Sequence, residues 1–97
     1  ARAVRRGITE GTAIGRATAL VRDLGNLPAN VCTPSYLVDR ARAIARRERR
    51  VSAKALGAAE LRKLRMGSFL AVTQGSREPP RFIVLEYKGG KAGDRPY

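Results

Sequence analysis

Residues Arg22 to Leu37 read RDLGNLPANVCTPSYL, a helix end, a proline-punctuated loop and a helix start within sixteen residues. Upstream, Ile14, Ala17, Val21 and Leu24 recur at helical spacing, and Ala13 and Leu20 widen the stripe. Arg16 and Arg22 fall off it, as a solvated face should. Gly25 and Asn26 follow the last periodic residue, and both tolerate the left-handed backbone that closes helices. Pro28 forbids continuation and biases Leu27 toward extended geometry. Asn30 to Cys32 reads as a short extended run. Thr33-Pro34 then reads as an N-cap followed by proline at the first helical position, where a missing N–H costs nothing.

Working outward, the pattern predicts a first helix from about Thr9 or Glu10 to Leu24 or Gly25. A second runs from Pro34 to Arg49, with Leu37, Ala41 and Ile44 inward and Arg40, Arg42, Arg46 and Arg47 mostly outward. Val51 to Leu56 is a strand candidate weakened by its alanines. Gly57 punctuates, and Ala58 to Leu64 is a short helix with Leu61 and Leu64 on one side. Gly67-Ser68 can start another helix through Thr73, ended by Gly75. Its Phe69-Leu70-Ala71-Val72 run fits a buried strand equally well, because periodicity cannot arbitrate so short a stretch. Pro79-Pro80 is a rigid connector. Phe82 to Tyr87 is the clearest strand, and its consecutive apolar residues Phe82 to Leu85 predict burial on both faces of a sheet. Gly89 to Asp94 is a turn, and Pro96-Tyr97 would open a further strand. Helices alternating with strands give an α/β layered class. The Phe82–Tyr87 strand would be left with an open edge, a liability natural proteins avoid, so something is expected to follow Tyr97 in space.

At 97 residues the chain holds one domain at most, or part of one, and a core of marginal size. The hydrophobic share of 43% argues against disorder, and the aromatic share of 5%, without Trp, leaves few large anchors. Cys32 is the lone cysteine and the chain has no histidine. A disulfide framework and a Cys–His pair are both excluded, Cys32 reads as a small semi-buried hydrophobe, and a reducing cytoplasmic setting fits. No apolar run approaches the ~18 residues of a membrane span, so no membrane partner is expected. The ARAVRRGITEG start lacks the apolar core of a signal peptide. A first residue other than Met suggests a cut chain or an internal start.

The net charge of +12 comes from sixteen Arg and four Lys against eight acids. It raises nucleic acid or another anionic partner as a competing function. The densest run, Arg46-Arg47-Glu48-Arg49-Arg50, falls at the predicted end of the second helix, where cations complement the dipole and the free carbonyls. No aromatic interleaves the run in sequence, so the favoured reading is a solvated face rather than a base-stacking platform.

Two blocks carry a family resemblance: Arg22–Leu37, and Met66–Gly75 (MGSFLAVTQG) with Ser76, Pro79-Pro80 and the FIVLEYKGG of Phe82–Gly90. In order and spacing they resemble the start of the catalytic domain of the leucyl aminopeptidase family, the cytosol aminopeptidase type, over roughly residues 10 to 97. The resemblance implies an incomplete part of a three-layer αβα sandwich with a mixed sheet, missing its neighbouring strands. It also implies a metal-dependent hydrolase that removes N-terminal residues from peptides, leucine preferred, with two divalent ions (manganese or zinc), working in the cytoplasm as a homohexamer. The family's metal ligands, a lysine, three aspartates and a glutamate, sit in motifs resembling GKGxTFDSGG and NTDAEGR, with its catalytic lysine and arginine in or beside them. None of these motifs occurs here, and GGKAGD of Gly89–Asp94 does not match.

The residues themselves agree. The carboxylates Glu10, Asp23, Asp39, Glu48, Glu60, Glu78, Glu86 and Asp94 include no pair at i, i+3 or i+4. Asp23 is expected to pair with a nearby cation, Asp39 and Glu48 lie among arginines, and Glu60 suits a helix first turn. Ser35, Ser68 and Ser76 have no base partner, and Lys88 and Lys91 show no sign of burial. No catalytic, metal or substrate-binding residue is therefore assigned to any position. The expected roles are scaffold, inactive alone and dependent on the remainder of its own catalytic domain; a basic nucleic-acid-binding module; or a structural or interaction fragment held by its parent. The isolated chain is expected not to fold stably.

Overall fold

A computed structural model describes residues 1–95, and the Pro96-Tyr97 strand start lies outside them. The chain divides into two units, Ala1–Cys32 and Thr33–Tyr97. The element order is α1 (Arg2–Asn26), α2 (Pro34–Arg47), β1 (Val51–Leu56), α3 (Ala58–Lys63), α4 (Gly67–Val72) and β2 (Phe82–Tyr87).

The first unit is α1 and the loop after it. The helix starts seven residues or so earlier than the sequence pattern suggests. Val4 and Ile8 do not share the face of Ile14 and Val21, so a search for one continuous stripe misses the first two turns. Arg6 Nε donates to Glu10 Oε1 at 2.7 Å across one turn of this early segment. Ile14 and Val21, the expected stripe, are each 68% exposed, since a lone helix has no second element in its own unit to cover it. The helix end also differs in mechanism. Neither Gly25 nor Asn26 takes a left-handed conformation; Leu27 caps the helix in an extended one, as the following Pro28 dictates. Residues 30–32 are not extended either. The amides of Val31 and Cys32 both donate to the carbonyl of Pro28, each at 2.9 Å, and curl the segment into a turn.

The second unit opens with the expected cap. Thr33 is extended, its hydroxyl accepts from the Tyr36 amide at 3.2 Å, and Pro34 follows at the first helical position. Removing that oxygen with Thr33→Ala should weaken α2 by about 1 kcal/mol, seen as faster amide exchange at Tyr36 and Leu37, while Thr33→Ser stays close to the unaltered protein. The helix stops at Arg47, not Arg49, because Glu48 turns extended, and the Val51 amide donates to the Glu48 carbonyl at 2.9 Å to close a turn over residues 48–51. Its inner face is Val38 and Ala41, with the expected Leu37 and Ile44 half-buried beside them.

Helix α2 packs on β1. Alternation decides the strand: Val51, Ala53 and Ala55 are half-buried and Leu56 is buried, while Ser52 and Lys54 are exposed. β1 and β2 form a two-stranded antiparallel sheet with Val51 opposite Tyr87 and Leu56 opposite Phe82. Helix α3 begins with the Gly57 amide donating to Glu60 Oε2 at 2.9 Å, so Glu60 does occupy the first turn. It ends in a Schellman arrangement: Arg65 is left-handed (φ 55°), the Met66 amide donates to the Leu61 carbonyl and the Arg65 amide to the Arg62 carbonyl, both at 3.0 Å. That early stop separates two leucines expected to act together, for Leu61 is fully buried and Leu64 is 59% exposed. The ambiguous 67–72 run is helical and is capped by Thr73, ahead of Gly75. Phe69 of α4 meets Phe82 of β2 edge-to-face, with ring centroids 5.6 Å apart.

The expectation that β2 is buried on both faces does not hold within these residues. Phe82 and Ile83 are half-buried, whereas Val84, Leu85 and Tyr87 are exposed. One neighbouring strand and one neighbouring helix layer leave its C-terminal half uncovered. The fold is thus a mixed helix–strand assembly, compatible with part of an α/β domain, with its core at Val38, Ala41, Leu56 and Leu61.

Candidate functional site

Five of the eight carboxylates are engaged locally. Glu10 pairs with Arg6, Asp39 with Arg42 at 4.0 Å, and Glu86 with Lys88 at 3.9 Å. Glu60 accepts from Gly57, and Asp94 accepts from the Lys91 amide at 2.6 Å in the expected 89–94 turn. Glu78 lies in a turn where its amide donates to Ser76 Oγ at 3.1 Å. Asp23, expected to hold a cation, has no ion pair among the described residues. Among the described residues no three His, Cys, Asp or Glu side chains come together. The side chains present therefore do not fit a two-metal centre, and no chemical step can be routed through one here.

The serines are equally plain. Ser35 lines a shallow cavity of about 220 Å³ with Val38, Asp39, Arg42, Ala55 and Arg81. Asp39 on the same lining pairs with Arg42 at 4.0 Å, and the chain has no imidazole to serve as the base of a serine nucleophile. Cys32 is a half-buried free thiol. No helix among the described residues is long and apolar enough to cross a membrane.

One arrangement escaped the sequence reading. The strand register sets Tyr87 opposite Val51, directly beyond the arginine run, and the Lys88 amide donates to the Arg50 carbonyl at 2.8 Å. Tyr87 thereby shares a shallow concavity of about 490 Å³ with Arg47, Glu48, Arg49, Arg50 and Val51. Only the pairing of residues almost forty positions apart creates this neighbourhood, so no local signal announces it.

Comparison with known proteins places the chain in a class of peptidases. A family model described as the cytosol aminopeptidase family, catalytic domain, matches residues 19–97. The chain is 50% identical over 90 residues to a probable cytosol aminopeptidase of Alkalilimnicola ehrlichii, covering 93% of this chain and 18% of the relative. It is 53% identical over 96 residues to one of Cupriavidus taiwanensis (99% and 18%). It is 48% identical over 94 residues to one of Pseudomonas syringae pv. syringae (97% and 19%). The chain belongs to the cytosol aminopeptidase family, and it spans under a fifth of the length of the curated relatives it matches.

Proposed function

We propose that the chain is an N-proximal segment of the catalytic domain of a metal-dependent leucyl aminopeptidase, a hydrolase that removes N-terminal residues from peptides, and that within it this segment is scaffold. The observation that carries this reading is the open half of β2. Val84 and Leu85 are 40% and 50% exposed on a strand whose outer edge is unpaired among the described residues, which suits a strand continued by further sheet. The match to the catalytic-domain family and the small share of each relative covered support the same view. In this reading β2 sits inside a mixed sheet of a three-layer αβα sandwich, and the remainder of the catalytic domain is the segment's partner. Residues of that remainder hold two divalent ions, manganese or zinc, and the peptide. The whole enzyme is a cytoplasmic homohexamer.

The direct test is hydrolysis of a leucine amide. Purified Ala1–Tyr97 with added manganese or zinc should release product no faster than the ions alone, while the full-length protein shows metal-dependent turnover. Metal-dependent turnover by the 97-residue chain would overturn the scaffold role, and a full-length protein inert toward N-terminal residues would overturn the peptidase reading itself.

A further inference from the structure

Arg81 stands directly before β2 and is half-buried. Its guanidinium lies against the glycine that opens α3, where a Cβ on Gly57 would stand 3.2 Å from Nη1. No carboxylate comes within 4.0 Å of it among the described residues. A cation so placed gives up hydration without gaining a counter-ion. The cavity that it lines has a definite make-up. Ser35, Val38, Asp39 and Arg42 recur at i, i+3, i+4 and i+7 along α2, so they line it as one stripe. Val38 is buried and Ala55 of β1 half-buried, which puts an apolar floor under a charged lip. Asp39 and Arg42 are 4.0 Å apart, beyond hydrogen-bond length, so both keep hydrogen-bonding capacity for a ligand.

We propose that this cavity binds a free α-amino acid with an apolar side chain. Its carboxylate lies on the Arg81 fork and the Ser35 hydroxyl, its ammonium on Asp39, and its side chain on Val38 and Ala55. The chemistry selects this occupant. A guanidinium presents a planar fork that matches a carboxylate. Both signs of charge meet on one small lip, and an α-amino acid carries both on a single carbon. Inorganic phosphate would be repelled by Asp39, and a metal cation by the two guanidiniums. At about 220 Å³ the cavity is smaller than the ~300–1,000 Å³ of drug-sized pockets, which suits one amino acid rather than a peptide. An enzyme that removes N-terminal residues releases such a molecule, so the site would sense the enzyme's own product. That consequence rests on the peptidase reading; the binding does not, and leucine amide hydrolysis by the unaltered protein keeps the two failures apart.

The experiment is methyl NMR of the full-length protein, labelled at alanine and valine methyls and titrated with L-leucine. The Val38 and Ala55 methyls report on this cavity alone, so leucine held elsewhere in the enzyme does not enter the reading. Both should shift and saturate. Arg81→Gln should weaken the binding about tenfold or more, the usual loss for a hydrogen-bonded charge. Asp39→Asn should weaken it about twofold to fivefold, because that side chain is 76% exposed. N-acetylleucine, without the ammonium, and isopentylamine, without the carboxylate, should each move the two methyls far less than leucine. If Arg81→Gln loses its native spectrum, Arg81→Lys, which keeps the charge but not the fork, and Asp39→Asn on its exposed side chain still decide the matter. Val38 and Ala55 methyls unmoved by leucine, an equal response to either analogue, unchanged affinity in the Arg81 and Asp39 variants, or inorganic phosphate bound more tightly than leucine would each overturn the proposal.

Discussion

Isolated Ala1–Tyr97 is expected to lose its circular dichroism gradually on heating, with no cooperative transition. Its fully covered apolar side chains are Val38, Ala41, Leu56 and Leu61. Burying a Val or Leu is worth about 1.5–3 kcal/mol, while ordering each residue's backbone costs about 1–2 kcal/mol, and dozens of residues must be ordered. The sheet has two strands, fewer than independent stability usually requires. Unit one fares no better. Helix α1 has no side-chain cap at Ala1, and Gly7, Gly11 and Gly15 each weaken its interior by about 1 kcal/mol relative to alanine. A sharp sigmoidal melt together with dispersed amide resonances from the isolated chain would refute this.

In the full-length protein, Leu61→Ala should cost about 2–5 kcal/mol of unfolding free energy in urea, the range for emptying a well-packed leucine site. Leu64→Ala, three residues on, should change it by no more than about 0.5 kcal/mol. The contrast is the test, since Leu61 is 0% and Leu64 59% exposed. Equal losses would mean that Leu64 is covered as fully as Leu61 in the full-length protein.

These two leucines show where sequence reading succeeds and where it fails. Local chemistry was legible: the Thr33 cap, Pro34 behind it, Glu60 in its first turn and the 89–94 turn all depend on atoms a few residues apart. Terminations were harder. Arg65 adopts a conformation usually left to glycine, so nothing in its identity marks the end of α3. Glu48 likewise carries no breaker signal, so the sequence pattern runs two residues past the end of α2 at Arg47. The alanines of β1 weaken its strand signal, yet the Val51–Leu56 bounds read from the sequence are those of the strand. The family blocks named the enzyme class, and the missing motifs kept any catalytic residue from being assigned. The meeting of Tyr87 with Arg50 follows from sheet register, which the sequence does not display.

The pairing of β1 with β2 also bears on how the chain is made. β1 leaves the ribosome roughly thirty residues before β2, a wait of a few seconds at ordinary rates of synthesis. During that interval it has helix α2 to lie on but no strand to pair with. Its composition suits the wait. Small alanines at positions 53 and 55, with Ser52 and the charged Lys54 on the other face, make a poor template for a neighbouring nascent chain. The strongly apolar strand, Phe82 to Leu85, is the later one, and it emerges when a partner is already in place.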